Sequence, residues 1–159
     1  MKNFIIIILT LIYSCSNNKN PDDLWNEAQN HRINNNLKEA INTYKNIIDQ
    51  YPKNDFSSKA QFQIADIYLN DIKDYDLSIK EFKIVVNDYP NDEVAKKSLF
   101  MIAYIYNNYI NAYTEAIDYY NLFINKYPKD ELIPSVQYEL EGLEKIIITI
   151  DSLKINNNL

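Results

Sequence analysis

Ala60-Gln61-Phe62-Gln63-Ile64-Ala65-Asp66-Ile67-Tyr68 and Ser98-Leu99-Phe100-Met101-Ile102-Ala103-Tyr104-Ile105-Tyr106 lie 38 residues apart and share their small, aromatic, alanine and tyrosine positions. Working outward, the same 38-residue step joins Tyr51-Pro52, Tyr89-Pro90 and Tyr127-Pro128, and beyond the last proline Val136 and Tyr138 fall where Ser98 and Phe100 stood. Upstream of each proline come Ala40, Ser78 and Ala116, then, four residues on, Tyr44, Phe82 and Tyr120. A small residue and an aromatic one helical turn apart mark a face on which two helices meet. Self-similarity at one period over this many positions is the sequence signature of a repeat architecture.

Each unit reads as two helices. In the second unit the spacing predicts a first helix over Ser57 to Leu69, with Ala60, Ile64, Ile67 and Tyr68 on one stripe, and a second over Tyr75 to Asp88, with Ser78, Phe82, Val85 and Val86 recurring at helical intervals. Proline then stops the helix, having no N–H to donate and disfavouring the αR region in the residue before it; the Asn or Asp that follows is placed to cap the next helix. The first unit is one residue shorter between its helices: Ala28 to Ala40 is 12 residues, whereas Ala65 to Ser78 and Ala103 to Ala116 are 13.

These positions resemble the tetratricopeptide repeat (TPR), with Ala65 and Ala103 in the place of the signature glycine, and with Leu24, Ala28, Ala40, Tyr44 and Pro52 serving the first repeat, where His31 fills the tyrosine slot. The resemblance covers repeats at about 22–52, 57–90 and 95–128, a capping half repeat over 131–153 and a polar tail at 154–159. It implies an all-α fold, a TPR α-solenoid of about three and a half repeats wound as a right-handed superhelix, with the first helix of each pair lining an inner groove. Carried over residue by residue, it makes Trp25, Phe62, Phe100 and Tyr138 one row of that groove. Gln29, Asp66 and Tyr104 form the next row, and Arg32, Asn70, Asn107 and Asn108 line it further on. Aromatic rings with polar neighbours suit a protein segment as ligand. The Lys and Asn residues with which some TPR proteins grip a C-terminal carboxylate are absent from these positions, so no such clamp is expected.

Composition excludes much else. One glycine in 159 residues leaves no material for phosphate-cradling loops or nucleophile elbows. A formal charge of -6 removes general attraction to nucleic acid. One cysteine and one histidine build neither an internal disulfide nor a familiar metal site, so no metal or cofactor is expected. Glu139, Glu141 and Glu144 share the last helix as a solvated face, no nucleophile, base and orienting group occur together, and the chain reads as a non-enzyme.

The N-terminus supplies an address. Lys2 precedes an apolar run from Phe4 to Ile12, too short to span a bilayer, and Ile12-Tyr13-Ser14-Cys15 resembles a bacterial lipobox. The resemblance implies a signal peptide over 1–14 and lipid on Cys15. A polar tether over 15–21 follows, its six residues from Ser16 to Pro21 reaching at most ~20 Å, so a TPR domain over 22–153 is expected close to the membrane. TPR repeats behind a lipobox resemble the BamD family of outer-membrane β-barrel assembly lipoproteins, and the TPR part of the CpoB (YbgF) division adaptors is similar. Expected partners are therefore envelope proteins bound in the groove and a membrane reached through the lipid, at the periplasmic face of the outer membrane. Ile146-Ile147-Ile148-Thr149-Ile150 leaves two readings open: self-association through the C-terminal helix, or burial of that run against the helix over 116–127.

Overall fold

The computed structural model describes residues 19–157, so the segment 1–14 expected as a signal peptide and the expected lipid site Cys15 lie outside the described residues. Its helices are set by the tyrosine–proline pairs. Tyr51, Tyr89 and Tyr127 take φ of −131°, −125° and −129° with ψ near 50°, because the proline that follows crowds a helical residue at that place. Each tyrosine carbonyl then accepts the N–H three residues on, from Asn54, Asp92 and Asp130. Asn54 and Asp130 take the N–H of Phe56 and Leu132 on their side chains, while Asp92 occupies the same position without a side-chain bond. Two of the three residues after the proline thus cap the next helix in the expected way.

The order is α1 (Pro21–Ile33), α2 (Leu37–Gln50), α3 (Asp55–Asp66), α4 (Tyr75–Asp88), α5 (Glu93–Ile105), α6 (Tyr113–Lys126) and α7 (Ile133–Asn157), with no strand among the described residues. Consecutive helices pack as neighbours, giving three hairpins and a final unpaired helix. Two boundaries differ from the sequence reading. Helix α3 starts at Asp55, because Asn54 caps it there, and continues past Leu69 as a π-helical turn over Ile67–Ile72. Helix α7 begins at Ile133 and runs to Asn157, through much of the stretch read as a polar tail.

The spacing difference between repeats has a structural cause. In the first repeat α1 closes with a Schellman motif: Asn35 is left-handed at φ 59°, its N–H reaches the Arg32 carbonyl, and the Asn36 N–H reaches the His31 carbonyl at 2.8 Å. In the second and third repeats Lys73 (φ 63°) and Asn111 (φ 59°) hold the equivalent left-handed position. There the loop N–H groups of Asp74 and Ala112 bond the carbonyls of Tyr68 and Tyr106, one residue further back. The extra residue is taken up by π turns at Ile67–Ile72 and Tyr106–Ile110, so every repeat closes on the same left-handed residue five positions before its small residue. The carbonyl that accepts the closing bond belongs each time to the signature-tyrosine slot: His31, Tyr68 or Tyr106.

Within each hairpin the helices meet through fully buried small residues: Ala28 and Ala40, Ala65 and Ser78, Ala103 and Ala116. The buried Ser78 hydroxyl donates to the Ala65 carbonyl at 2.9 Å, so its burial leaves no orphan polar group. One turn on, Tyr44, Phe82 and Tyr120 are fully buried. Three apolar clusters result, and each joins a hairpin to the first helix of the next: Leu24 through Ile67, Ala65 through Ile105, and Leu99 through Leu143. Each repeat therefore depends on its immediate neighbours, as in solenoids generally. On the outer side, Lys83 of α4 lies 5.7 Å and 5.3 Å from the stacked rings of Tyr106 and Tyr119, tying the second repeat to the third.

At the C-terminal junction, Lys96 of α5 donates to Asp130 at 2.8 Å and pairs with Glu93 at 2.8 Å. That bond from Lys96, with the Leu132 N–H second, holds the Asp130 carboxyl below the ordinary carboxylate range. A folded pKa below the unfolded one gives stability that is complete above about pH 4 and lost as pH falls through the folded value. Asp130→Asn should accordingly flatten the fall in stability below about pH 4, measured by chemical denaturation at pH 7, 4 and 3; an unaltered acid limb would refute this role.

The buried hydroxyls of Tyr44 and Tyr120 make no hydrogen bond, and burial pushes the Tyr44 phenol up to about 12. Phe82 fills the same slot without a hydroxyl. An unbonded buried hydroxyl stabilises nothing, so Tyr44→Phe should keep the denaturation midpoint or raise it by up to ~1 kcal/mol of stability; a loss above ~1 kcal/mol would show a partner for that oxygen.

Candidate functional site

Helices α1, α3, α5 and α7 stand side by side as one wall, and the junctions between them use equivalent positions. Between α1 and α3, Arg32 donates to Asp66 at 2.6 Å, to Gln63 at 2.9 Å and to Asp71 at 2.7 Å. Between α5 and α7, Asn107 donates to Glu139 at 2.9 Å. Arg32 and Asn107 each lie four residues after the alanine of their hairpin, and Gln63 and Glu139 each follow the aromatic of the next repeat. At the middle junction those two positions are Leu69 and Met101, members of one apolar cluster.

This geometry sorts the groove residues read from the sequence. Arg32 and Asp66 are brought together, but against each other, with Asn70 donating to the second Asp66 oxygen at 2.7 Å. They brace two repeats. The guanidinium is half-buried, and the two aspartates raise the Arg32 pKa even though its burial works against the charge. Trp25, Phe62 and Phe100 are also half-buried and turn inward. Their rings meet Tyr44 at 5.4 Å, Phe82 at 5.2 Å and Tyr120 at 5.9 Å, clasping the second helix of their own repeat. The row expected to offer aromatic faces to a ligand is, over three of its four members, part of the hairpin core.

Four residues of the set remain at the C-terminal part of the wall. Tyr104 is half-buried, with its ring 6.3 Å from Phe100 and 6.0 Å from Tyr109. Asn108 is exposed and donates to the Tyr104 carbonyl at 3.1 Å. Asn107 lies beside them. Tyr138 is 77% exposed, because α7 has no second helix for it to clasp. Gln29 is half-buried at the far end of the wall. Between the end of the α5 π turn and α7 lies a cavity of about 290 Å³ bounded by Asn107, Asn108, Tyr138 and Glu139 and by further α7 residues that include Gly142 and Ile146. Glu139, Gly142 and Ile146 were absent from the groove set. The lone glycine, interior to a helix, was the signal that could have found them.

The isoleucine run divides between the two readings left open. Ile147 and Ile150 are half-buried, whereas Ile146 and Ile148 are exposed, so the run is covered along only part of its circumference. Among the described residues no helix is long and apolar enough to cross a membrane, and no group of three metal-ligating side chains occurs.

The Arg32 brace makes a quantitative expectation. Arg32→Met leaves Asp66 and Asp71 facing each other without a counter-ion, and should cost ~1–3 kcal/mol of stability. Asp71→Asn, which neutralises one of the two carboxylates but keeps an oxygen to accept from Arg32, should cost less than ~1 kcal/mol. Urea titrations of both variants check this, and equal losses would contradict a shared counter-ion.

A tetratricopeptide repeat family model matches residues 24–54, 59–92 and 97–130, each segment two residues later at both ends than the repeats read from the punctuation. No curated protein matches the chain at a significant level. The matched segments cover more than half of the sequence, and each contains one of the hairpins closed by its left-handed residue and ended by Tyr-Pro: the chain belongs to the tetratricopeptide repeat family.

Proposed function

We propose that this chain is a non-enzymatic TPR scaffold of the bacterial envelope, tethered by a lipid on Cys15 and holding a segment of a partner protein against the α5–α7 end of its wall. The observation that carries the interaction reading is the open wall at that end. Tyr138 is 77% exposed there, with Asn108 exposed and Tyr104 half-buried beside it, while Trp25 and Phe62 in the same row pack on Tyr44 and Phe82 and Asp66 is held by Arg32. Rings with few rotamers remove large apolar area from water, and amides nearby bond the main chain of a bound segment.

The address rests on the lipobox-like Ile12-Tyr13-Ser14-Cys15. The Tyr51 hydroxyl donates to the Lys19 carbonyl at 2.7 Å, so the tether enters the domain at the edge formed by the Tyr-Pro turns. With a reach of ~20 Å, that edge would face the membrane surface. Tyr-Pro-punctuated repeats behind a lipid anchor favour work at the periplasmic face of the outer membrane, in β-barrel assembly as in the BamD family. A CpoB-like division adaptor, or a scaffold that associates with itself through α7, is the alternative that the same experiment separates.

That experiment is affinity purification of the tagged full chain from detergent-solubilised envelopes, with Cys15→Ala as the anchoring control. Tyr104→Ala with Tyr138→Ala should lower partner recovery at least tenfold at unchanged helicity. Phe100→Ala is the wrong probe, since its ring packs on Tyr120 and Phe123 and its loss would cost ~3–5 kcal/mol. Recovery of barrel-assembly subunits supports the first pathway, and division or peptidoglycan-linked proteins the second. Undiminished recovery by the double variant overturns the groove reading.

A further inference from the structure

Gly142 is the one glycine of the chain, and it sits in the interior of α7, where glycine is the least favourable residue after proline. A side chain there would meet nothing within 4 Å, so the molecule's own packing does not explain its absence. The space it leaves belongs to the cavity between the α5 π turn and α7. Helical geometry places Gly142 four residues after Tyr138 and three after Glu139, hence between them and one turn along. The result is a slot with a bare floor, an exposed phenol ring on one side and a carboxylate on the other.

The carboxylate is fixed in position. One Glu139 oxygen accepts the Asn107 amide at 2.9 Å, and the other has no hydrogen bond among the described residues. Glu139 is half-buried, so a charge meeting it there is less screened than at an open surface. The cavity carries Glu139 and Glu141 against Lys145, an excess of one negative charge in a chain of net charge -6. Lys145 forms no ion pair with Glu139 or Glu141 among the described residues, so the second Glu139 oxygen stays open to an incoming group. Ile146, 39% exposed, adds an apolar surface at the slot's end.

From this arrangement we infer that the Gly142 cavity accepts a cationic side chain, arginine or lysine, from an extended segment of a partner protein. Its head pairs with Glu139 and lies against the Tyr138 ring, and its methylene stem crosses the glycine floor toward Ile146. A planar guanidinium suits this best, since it pairs with a carboxylate and stacks on an aromatic face together. The inference rests on the groove reading above and specifies the chemistry of the segment that the groove takes.

The single glycine also supplies the test. Full-length chain in detergent micelles, labelled with ¹⁵N-glycine and carrying a glycine-free tag, gives one amide resonance at the slot itself. Titration with acetyl-Ala-Leu-Arg-Leu-Ala-amide should move that resonance saturably. The peptide with neutral citrulline in place of arginine should bind at least tenfold more weakly, and Glu139→Gln should weaken the arginine peptide by a similar factor. No movement at millimolar peptide, or an equal response to citrulline, overturns the slot. A resonance that shifts on simple dilution of the protein also overturns it, because a second copy then fills the cavity. Partner capture by Tyr104→Ala alone, measured alongside, separates the two proposals: if capture still falls while the peptide fails, the slot is wrong and the groove stands.

Discussion

The close approach of two small residues at each helical crossing is the constraint on which the rest of this molecule depends. Ala28 on Ala40, Ala65 on Ser78 and Ala103 on Ala116 are fully buried, and a larger side chain at any of them would hold the hairpin apart. Close contact there brings the ring one turn later, Tyr44, Phe82 or Tyr120, against Trp25, Phe62 or Phe100. Those ring pairs extend the contact of each hairpin one turn beyond the small residues. Only with the hairpins closed in this way do the first helices stand near enough for Arg32 to reach Asp66, or Asn107 to reach Glu139.

A one-residue difference between repeats would spoil this arrangement if it reached the crossing, since one residue turns a helix face by about 100°. The π turns keep it from doing so. By taking the additional residue inside the end of α3 and α5, they leave the left-handed residue at a constant distance from Ser78 and Ala116, as Asn35 is from Ala40. Left-handed geometry is unfavourable for lysine and tolerable for asparagine, yet the closure is kept at Lys73. Register at the crossing is evidently worth more than backbone comfort in the loop.

Much of this was legible in the sequence, and the division follows the range of the interactions. Tyr-Pro punctuation, the alanine and serine at the crossing and the 38-residue period are local or periodic, so α4 could be bounded to the residue from spacing alone. The difference of 12 against 13 residues showed that an insertion existed, but not that it would be absorbed by a changed hydrogen-bond step in place of a longer loop. The site was less legible because exposure depends on what covers a residue. Phe100 and Tyr138 hold the same frame position, and one is packed while the other is open, only because α6 follows α5 and no helix pairs with α7. Arg32 and Asp66 looked like groove charges, since nothing local reveals that residues 34 apart neutralise each other.

One correlation links core to wall. Tyrosine fills the buried ring slot at Tyr44 and Tyr120, and there the neighbouring junction is polar, Arg32 with Asp66 and Asn107 with Glu139. Phenylalanine fills it at Phe82, and there the junction is Leu69 with Met101. The Tyr44 hydroxyl lies in the field of Arg32 and Asp66; the Tyr120 hydroxyl lies near Asn107, whose amide is held by Glu139. Neither makes a hydrogen bond of good geometry, so the tyrosines do not join the junctions by bonding. They match them in polarity, a phenol edge behind charged or amide groups and a hydrocarbon ring behind leucine. The consequence is that the repeats, alike in backbone, are not interchangeable. Arg32 placed against an apolar second junction would leave a charge without partners at a half-buried site, a penalty of several kcal/mol. Order along the solenoid is therefore written in the alternation polar, apolar, polar, and the C-terminal polar junction is the one whose carboxylate, Glu139, keeps an oxygen without a hydrogen bond among the described residues, at the edge of an open cavity.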